Sequence, residues 1–115
     1  MFNINRVTLL GTVVRDADRK ATSTGIAFTE FRLATETGIK TVQGRKESIV
    51  EFHHIVCFDD LSEFAAKLKK GKPLYVEGRI HTKRFRNNDG DDRSVLEVIA
   101  DKLVILSKKS ESDAT

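Results

Sequence analysis

The chain has 115 residues, 39 % of them apolar and 32 % charged, a formal net charge of +3 and one cysteine. This length suits a single domain with a modest core, and this balance describes a soluble globular chain rather than a disordered or membrane one. No apolar run approaches the roughly 20 residues of a membrane span. The short run Val7-Thr8-Leu9-Leu10 leads into Arg15-Asp16-Ala17-Asp18-Arg19-Lys20, where a signal peptide would need small residues for cleavage. A cytoplasmic protein is expected. Cys57 has no partner for an intrachain disulfide or a zinc cluster, and reads as a small buried hydrophobe.

Asn5 to Arg15 predicts a first strand with Val7, Leu9, Gly11 and Val13 on one face and Thr8, Leu10, Thr12 and Val14 on the other. Apolar residues on both faces imply cover on both sides, by a barrel interior plus a partner subunit or by two layers of one fold, and Gly11 predicts a bend or a close backbone approach of the kind barrel corners require. Asp16 to Gly25 reads as polar turn, with Ser23-Thr24-Gly25 reversing the chain. Ile26 to Thr37 predicts a second strand, whose core face is Ala27, Thr29, Phe31, Leu33 and Thr35. Gly38 to Lys46 holds two glycines and three bases, Lys40, Arg45 and Lys46, and reads as a mobile basic hairpin loop.

Ser48 to Phe58 predicts a third strand. It places Val50, Phe52, His54, Val56 and Phe58 on one face, with Ile49, Glu51, His53, Ile55 and Cys57 on the other. Core packing competes with a binding role for Phe52 and Phe58. Adjacent in a strand, His53 and His54 point apart, so they do not chelate one metal together, and no metal site is expected. Asp59 to Lys70 predicts a helix with Leu61, Phe64, Ala65 and Leu68 on its apolar face. Asp60 and Glu63 resemble a capping box, while Lys67, Lys69 and Lys70 suit the negative end of the helix dipole, with Gly71 as the left-handed cap.

Pro73 to Arg86 predicts a fourth strand of two characters. Leu74, Val76, Gly78, Ile80 and Thr82 point one way; Tyr75, Glu77, Arg79, His81, Lys83 and Phe85 point the other. The second face is cationic with aromatics among the charges, and between Arg79 and Arg86 there are four bases and no acid. A strand packed on one side and cationic-aromatic on the other is a candidate surface for single-stranded nucleic acid. Asn87 to Asp92 is a turn, lacking the flanking helices and twelfth-position glutamate of a calcium loop. Arg93 to Ser107 predicts a last, mostly apolar strand. Lys108 to Thr115 is a short polar tail, leaving residues 1–107 as the domain. Three strands, one helix and two strands predict an all-β, five-stranded Greek-key barrel with its helix between strands three and four, the OB-fold order.

Several stretches in register resemble bacterial single-stranded DNA-binding proteins. They are Asn5-Arg6-Val7-Thr8-Leu9-Leu10-Gly11, the segment from Gly25 to Thr35, the segment from Glu51 to Phe58, Leu68-Lys69-Lys70-Gly71, and Tyr75 to Phe85. The resemblance implies sequence-independent binding and protection of single-stranded DNA in replication, recombination and repair. It also implies a homotetramer built as a dimer of dimers, in the cytoplasm with the bacterial nucleoid. Three tryptophans and a phenylalanine stack on bases in that family. Phe52 and Phe85 stand at two of the tryptophan positions and Phe58 at the phenylalanine, whereas the third falls near Gly38 or Ile39, and this chain has no tryptophan. Arg6, Arg32, Lys40, Arg45, Lys46, Arg79, Lys83, Arg84, Arg86 and Arg93 are the candidates for neutralising phosphates.

The family normally ends in a long linker and an acidic tip that recruits other enzymes. Residues 107–115 carry two acids, no proline and no aromatic, so recruitment through such a tip is not expected. An alternative is a primosomal OB-fold protein of the PriB type, bridging single-stranded DNA and replication-restart partners; the predicted helix argues against it. Catalysis is not expected, because no acid, base and nucleophile converge and no glycine-rich phosphate loop appears. No cofactor is expected either.

Overall fold

Apolar alternation along four strands of 13 or 14 residues and a fifth of seven gives each one face for a core, and curvature lets the five close on themselves. The computed structural model describes residues 1–106. Its strands are β1 (Val7–Val13), β2 (Asp18–Ala21), β3 (Ala27–Lys40), β4 (Lys46–Phe58), β5 (Pro73–Arg86) and β6 (Asp92–Ile105), with helix α1 (Asp59–Ala65) between β4 and β5. The hydrogen-bonded order is β1-β5-β6-β4-β3, and β1 also pairs with β3, which closes a five-stranded barrel. The closing contacts are short: Thr12–Ala34 and Val13–Leu33 between β1 and β3, and a parallel pair of Ile55–Val98 and Val56–Ile99 between β4 and β6.

The barrel interior follows the alternation. Val13, Phe31, Leu33, Ile55, Cys57, Leu74, Val76, Val98 and Ala100 form one cluster with Ala65 and Leu68, and Val7, Leu9 and Leu103 pack against it. Burial pushes the Cys57 thiol up to about 12, so it stays protonated at neutral pH. Gly11 and Gly78 stand where neighbouring backbone comes closest. A Cβ on Gly11 would lie 2.2 Å from the Ala34 carbonyl oxygen, and one on Gly78 would lie 2.2 Å from that of Ile99. Gly78 also adjoins a bulge, since Glu77 pairs with Lys102 and Gly78 with Ala100, leaving Asp101 as the extra residue of β6.

The structure departs from the sequence expectations in four places. Asp18–Ala21, read as turn, is a strand antiparallel to β3, although all four residues are exposed. The Gly38–Lys46 loop is mostly ribbon: Gly38 pairs with Ser48 and Lys40 with Lys46, leaving only Thr41 to Arg45 to turn. There Thr41 N donates to Arg45 O at 2.8 Å, and Arg45 N to Thr41 Oγ1 at 3.1 Å. The helix ends at Ala65 rather than Lys70, and its cap Phe58 makes no side-chain hydrogen bond, so the capping box is not formed.

Beyond Ala65 the chain tightens into successive turns that carry Leu68 into the core, where a straight helix would lead away from the barrel. Lys67, Lys69 and Lys70 therefore lie past the last turn and do not cap it. Instead Lys70 N donates to Asp16 Oδ1 at 2.9 Å, with Lys69 Nζ 3.7 Å from Asp16 Oδ2. Gly71, at φ +94°, donates to Val13 O at 2.7 Å and ties this segment to the end of β1. Finally, the first strand starts at Val7 rather than Asn5. The side chain of Asn5 continues the pairing, with Nδ2 donating to Ile80 O and Oδ1 accepting from Ile80 N, both at 2.9 Å. The tail from Lys108 lies outside the described residues, as does Ser107.

Candidate nucleic-acid interface

Register decides which candidates share a surface, because directly paired residues point to the same side of a sheet. The pairs Phe28–Phe58, Glu30–Val56, Arg32–His54, Ala34–Phe52, Gly38–Ser48 and Lys40–Lys46 alternate with the core pairs Thr29–Cys57, Phe31–Ile55 and Leu33–His53. Phe52, Phe58, Arg32, Lys40 and Lys46 thus belong to the outer face of β3 and β4. On β5 and β6, the pairs Arg79–Ile99, His81–Glu97, Lys83–Val95 and Phe85–Arg93 alternate with Gly78–Ala100 and Ile80–Val98. Phe85, Arg79, Lys83 and Arg93 therefore belong to the outer face of the adjoining ribbon. Arg84 and Arg86, paired with Ser94 and Asp92, point to that ribbon's opposite side. Arg45 sits in the β3–β4 turn, and Arg6 precedes β1.

Exposure separates ring from core. Phe52 is 59 % exposed and Phe85 46 %, which burial in this chain's interior does not explain. Phe58 is half-buried, its ring centroid 5.9 Å from that of Phe28 with the planes tilted by 39°. The sequence did not single out Phe28. Its signal was present, since Phe28 alternates with the core residues Thr29 and Phe31, but only pairing with Phe58 shows that two rings meet. Tyr75 lies at the far end of β5 from Phe85, and its hydroxyl donates to Glu77 Oε1 at 2.6 Å, a bond that raises its pKa.

The cations differ in how far they are engaged. Arg6 bonds Asp101 at 2.8 Å, Arg86 bonds Asp92 at 3.3 Å, and Arg93 lies 3.7 Å from Asp91. Arg32, Lys40, Arg45, Lys46, Arg79, Lys83 and Arg84 make no ion pair among the described residues. Exposed side chains of that kind can follow a polyanion without first breaking a pair.

Across the middle of the face runs a chain of alternating groups that no local pattern foretells. Lys20 of β2 pairs with Glu30 of β3, whose Oε2 is 3.0 Å from His54 Nε2 of β4. His54 stands 3.9 Å from Glu97 of β6, and Glu97 bonds His81 Nδ1 of β5 at 3.0 Å. Burial pushes the Glu30 carboxyl up, but its bond to Lys20 and the charges of His54 and Lys20 outweigh that and hold it below the ordinary glutamate value. On the core side, His53 Nε2 meets Thr35 Oγ1 at 2.7 Å, so the adjacent histidines do point apart.

Two depressions adjoin along this face. One is lined by Phe28, Val56, Phe58, His81, Lys83 and Glu97, with Ala21, Thr22 and Glu30 at its β2 side. The other is polar, with Arg15, Arg32 and Lys70 facing Asp16, Asp18 and Glu30. Arg15 and Lys70 were not expected there; only folding brings the turn after β1 and the turn after α1 beside Arg32. No group of three or more His, Cys, Asp or Glu residues able to hold a metal occurs among the described residues. No described helix is long and apolar enough to cross a membrane.

The family model described as the single-strand binding protein family matches residues 4–106. A single-stranded DNA-binding protein of Xylella fastidiosa is 36 % identical over 109 residues, covering 94 % of this chain and 66 % of that protein. Single-stranded DNA-binding protein 1 of Chlorobaculum tepidum is 32 % identical over 114 residues, covering 97 % and 70 %. The chain thus spans about two thirds of the length of these curated relatives. Among solved structures, a Plasmodium falciparum SSB in complex with ssDNA superposes with a TM-score of 0.82 at 26 % identity, over 93 % of this chain and 98 % of that one. A deletion mutant of the single-stranded DNA binding protein from Thermus aquaticus superposes with a TM-score of 0.79 at 25 % identity, over 90 % and 51 %.

Proposed function

Since the chain belongs to the single-strand binding protein family, we propose that it binds single-stranded DNA without base-sequence specificity, and protects it in replication, recombination and repair. The observation that carries this reading is the outer face itself. Exposed Phe52 and Phe85 and the half-buried Phe58 share it with the unpaired cations Arg32, Lys40, Lys46, Arg79 and Lys83. Bases stack on the three rings, each worth about 1–3 kcal/mol. Phosphates are neutralised by those five cations and by Arg45 at the hairpin tip. Arg6, Arg84, Arg86 and Arg93 extend the cationic path around the β5–β6 ribbon.

The protein acts by binding and performs no catalysis. It works in the cytoplasm as a homo-oligomer, a tetramer in the dimer-of-dimers form. The outer face of β1, with Leu10 58 % exposed and in register with Tyr75, supplies apolar surface for self-association. No specific observation favours the primosomal alternative.

Fluorescence anisotropy of a labelled oligo-dT at several salt concentrations tests the reading. Log affinity is expected to fall with log salt by about 0.7 for each phosphate contacted. Binding that ignores salt, or equal affinity for duplex DNA, would overturn it. Light scattering with and without the oligonucleotide reads the assembly, and a monomer in both conditions would remove the oligomer.

A further inference from the structure

Two carboxylates, Glu30 and Glu97, lie in the middle of a face that has to receive a polyanion, and each touches a histidine. His54 Nε2 stands 3.0 Å from Glu30 Oε2 and 3.9 Å from Glu97 Oε2, while His81 Nδ1 stands 3.0 Å from Glu97 Oε1. We propose that His54 and His81 make DNA binding proton-linked: they take up protons from solvent as the strand binds, so that affinity rises as the pH falls through the range in which imidazole changes charge. This rests on single-stranded DNA binding and adds a regulation to it.

The layering of the cluster puts the imidazoles where the strand arrives. The side chains of His54 and His81 are 30 % and 49 % exposed, against 19 % for Glu30 and 9 % for Glu97. The carboxylates thus form the floor and the rings cover it. With both rings neutral, Lys20, Glu30 and Glu97 leave the cluster with one negative charge; with both protonated it carries one positive charge. Glu30 stays ionised throughout, since Lys20 and His54 hold its carboxyl below 4.5 although burial pushes it up. Histidine is the side chain whose charge changes near neutral pH, so the two rings decide the sign that the strand meets.

The surrounding charges explain why the protons come with the strand. His54 pairs across the ladder with Arg32 of β3. Arg15 from the turn after β1 and Lys70 from the turn after α1 share its depression, with Asp16 and Asp18 towards β2. Asp16 is already engaged by Lys70 N and Lys69 Nζ. Arg15, Arg32 and Lys70 therefore oppose a further positive charge at His54. Arg79 and Lys83, two residues to either side on the same face of β5, oppose one at His81, where Glu30 and Glu97 are the acids of the adjoining depression. Phosphates that settle on these cations cancel the opposition and attract the charged imidazole themselves, and both effects favour the protonated ring.

Oligo-dT isolates this linkage, because thymine does not titrate in the range where histidine does. At one fixed salt concentration, its affinity is expected to fall about tenfold from about pH 5.5 to pH 7.5. Calorimetric titrations near neutral pH, in two buffers of unlike ionisation enthalpy, count the protons directly, and net uptake is expected on binding. The double variant His54→Gln/His81→Gln should lose that uptake and flatten the pH profile. The double variant His54→Lys/His81→Lys fixes the charge instead. It should flatten the profile too, while keeping at the higher pH the affinity that the unaltered protein shows only at the lower. A flat profile with no proton uptake in the unaltered protein would overturn the proposal. So would an uptake that survives in both variants, which would place the titrating groups elsewhere, His53 on the core side among them. Failure to bind oligo-dT at either pH would instead remove the single-stranded DNA reading.

Discussion

β5 is one strand with two environments, and the change comes at Gly78. From Leu74 to Gly78 it is a barrel stave, hydrogen-bonded to β1 on one side and β6 on the other, with Leu74 and Val76 fully buried. From Arg79 to Arg86 it pairs with β6 alone and every residue is exposed. β3 and β4 repeat the division, with Phe31, Leu33, Ile55 and Cys57 in the core and Gly38–Lys40 paired only with Lys46–Ser48 in a projecting ribbon. The staves obtain their order from burial. The ribbons obtain theirs from two-strand pairing, and so leave side chains on both faces free for a ligand. On β5 the buried residues and the exposed ring and cations thus occupy different halves of one strand, whereas on β3 and β4 Arg32, Phe52 and Phe58 lie on the outer side of the staves themselves.

Substitutions should separate the two halves. The largest effect belongs to the staves: Leu33→Ala empties a fully buried position and is expected to cost about 2–5 kcal/mol. Urea unfolding would show this as a lower midpoint, whereas the folded fraction should still bind DNA normally. Next, Phe85→Ala on the ribbon is expected to weaken oligo-dT binding by about 1–3 kcal/mol. It should leave the unfolding midpoint in place and the salt slope nearly intact, since it removes a ring and no charge. A lost midpoint with unaltered affinity would return Phe85 to packing.

Smaller still is Lys83→Gln, which should lower the magnitude of the salt slope by about 0.7, one phosphate contact. The smallest effect links the two halves through pH. Glu30 titrates below its ordinary value of 4.5 because Lys20 and His54 favour its charged form despite burial. Its folded pKa being depressed, it adds stability that is fully present above 4.5 and is lost as pH falls through the folded value. Glu30→Gln should therefore flatten the loss of melting temperature on acidification below that pH, and an identical acid profile in the variant would argue against the pairing.

Legibility along the sequence followed how local the cause was. Alternation marked Leu33, Leu74 and Val76 as inward and Phe85 as outward, and put Phe52 and Ile55 on opposite faces without deciding which face was the core, because a strand's period of two is a property of the backbone itself. It failed for Asp18–Ala21, which has no buried face and is a strand only because the edge of β3 supplies its hydrogen bonds. Helical periodicity linked Leu61 to Leu68 but had no knowledge of where the barrel wall lay, so it ran five residues past the true end at Ala65. Phe64, counted on the buried face, is 39 % exposed, whereas Ser62 is buried through the bonds of its carbonyl and hydroxyl oxygens to Thr29 Oγ1, at 2.7 and 2.8 Å.

By itself, then, the sequence determined the strand alternation along β5, the order of the five barrel strands and the helix, and the placing of Phe85 and the cations around it on the ribbon of Arg79 to Arg86. Each of these depends on neighbours a few residues apart, and backbone geometry carries it without reference to the rest of the molecule. Tertiary structure alone decided that Phe28 meets Phe58, and that Lys20, Glu30, His54, Glu97 and His81 join across five strands. Those contacts depend on inter-strand register and on barrel closure at Thr12–Ala34 and Ile55–Val98. Register is set by the whole core at once, since a slip of one residue would turn every buried side chain outward.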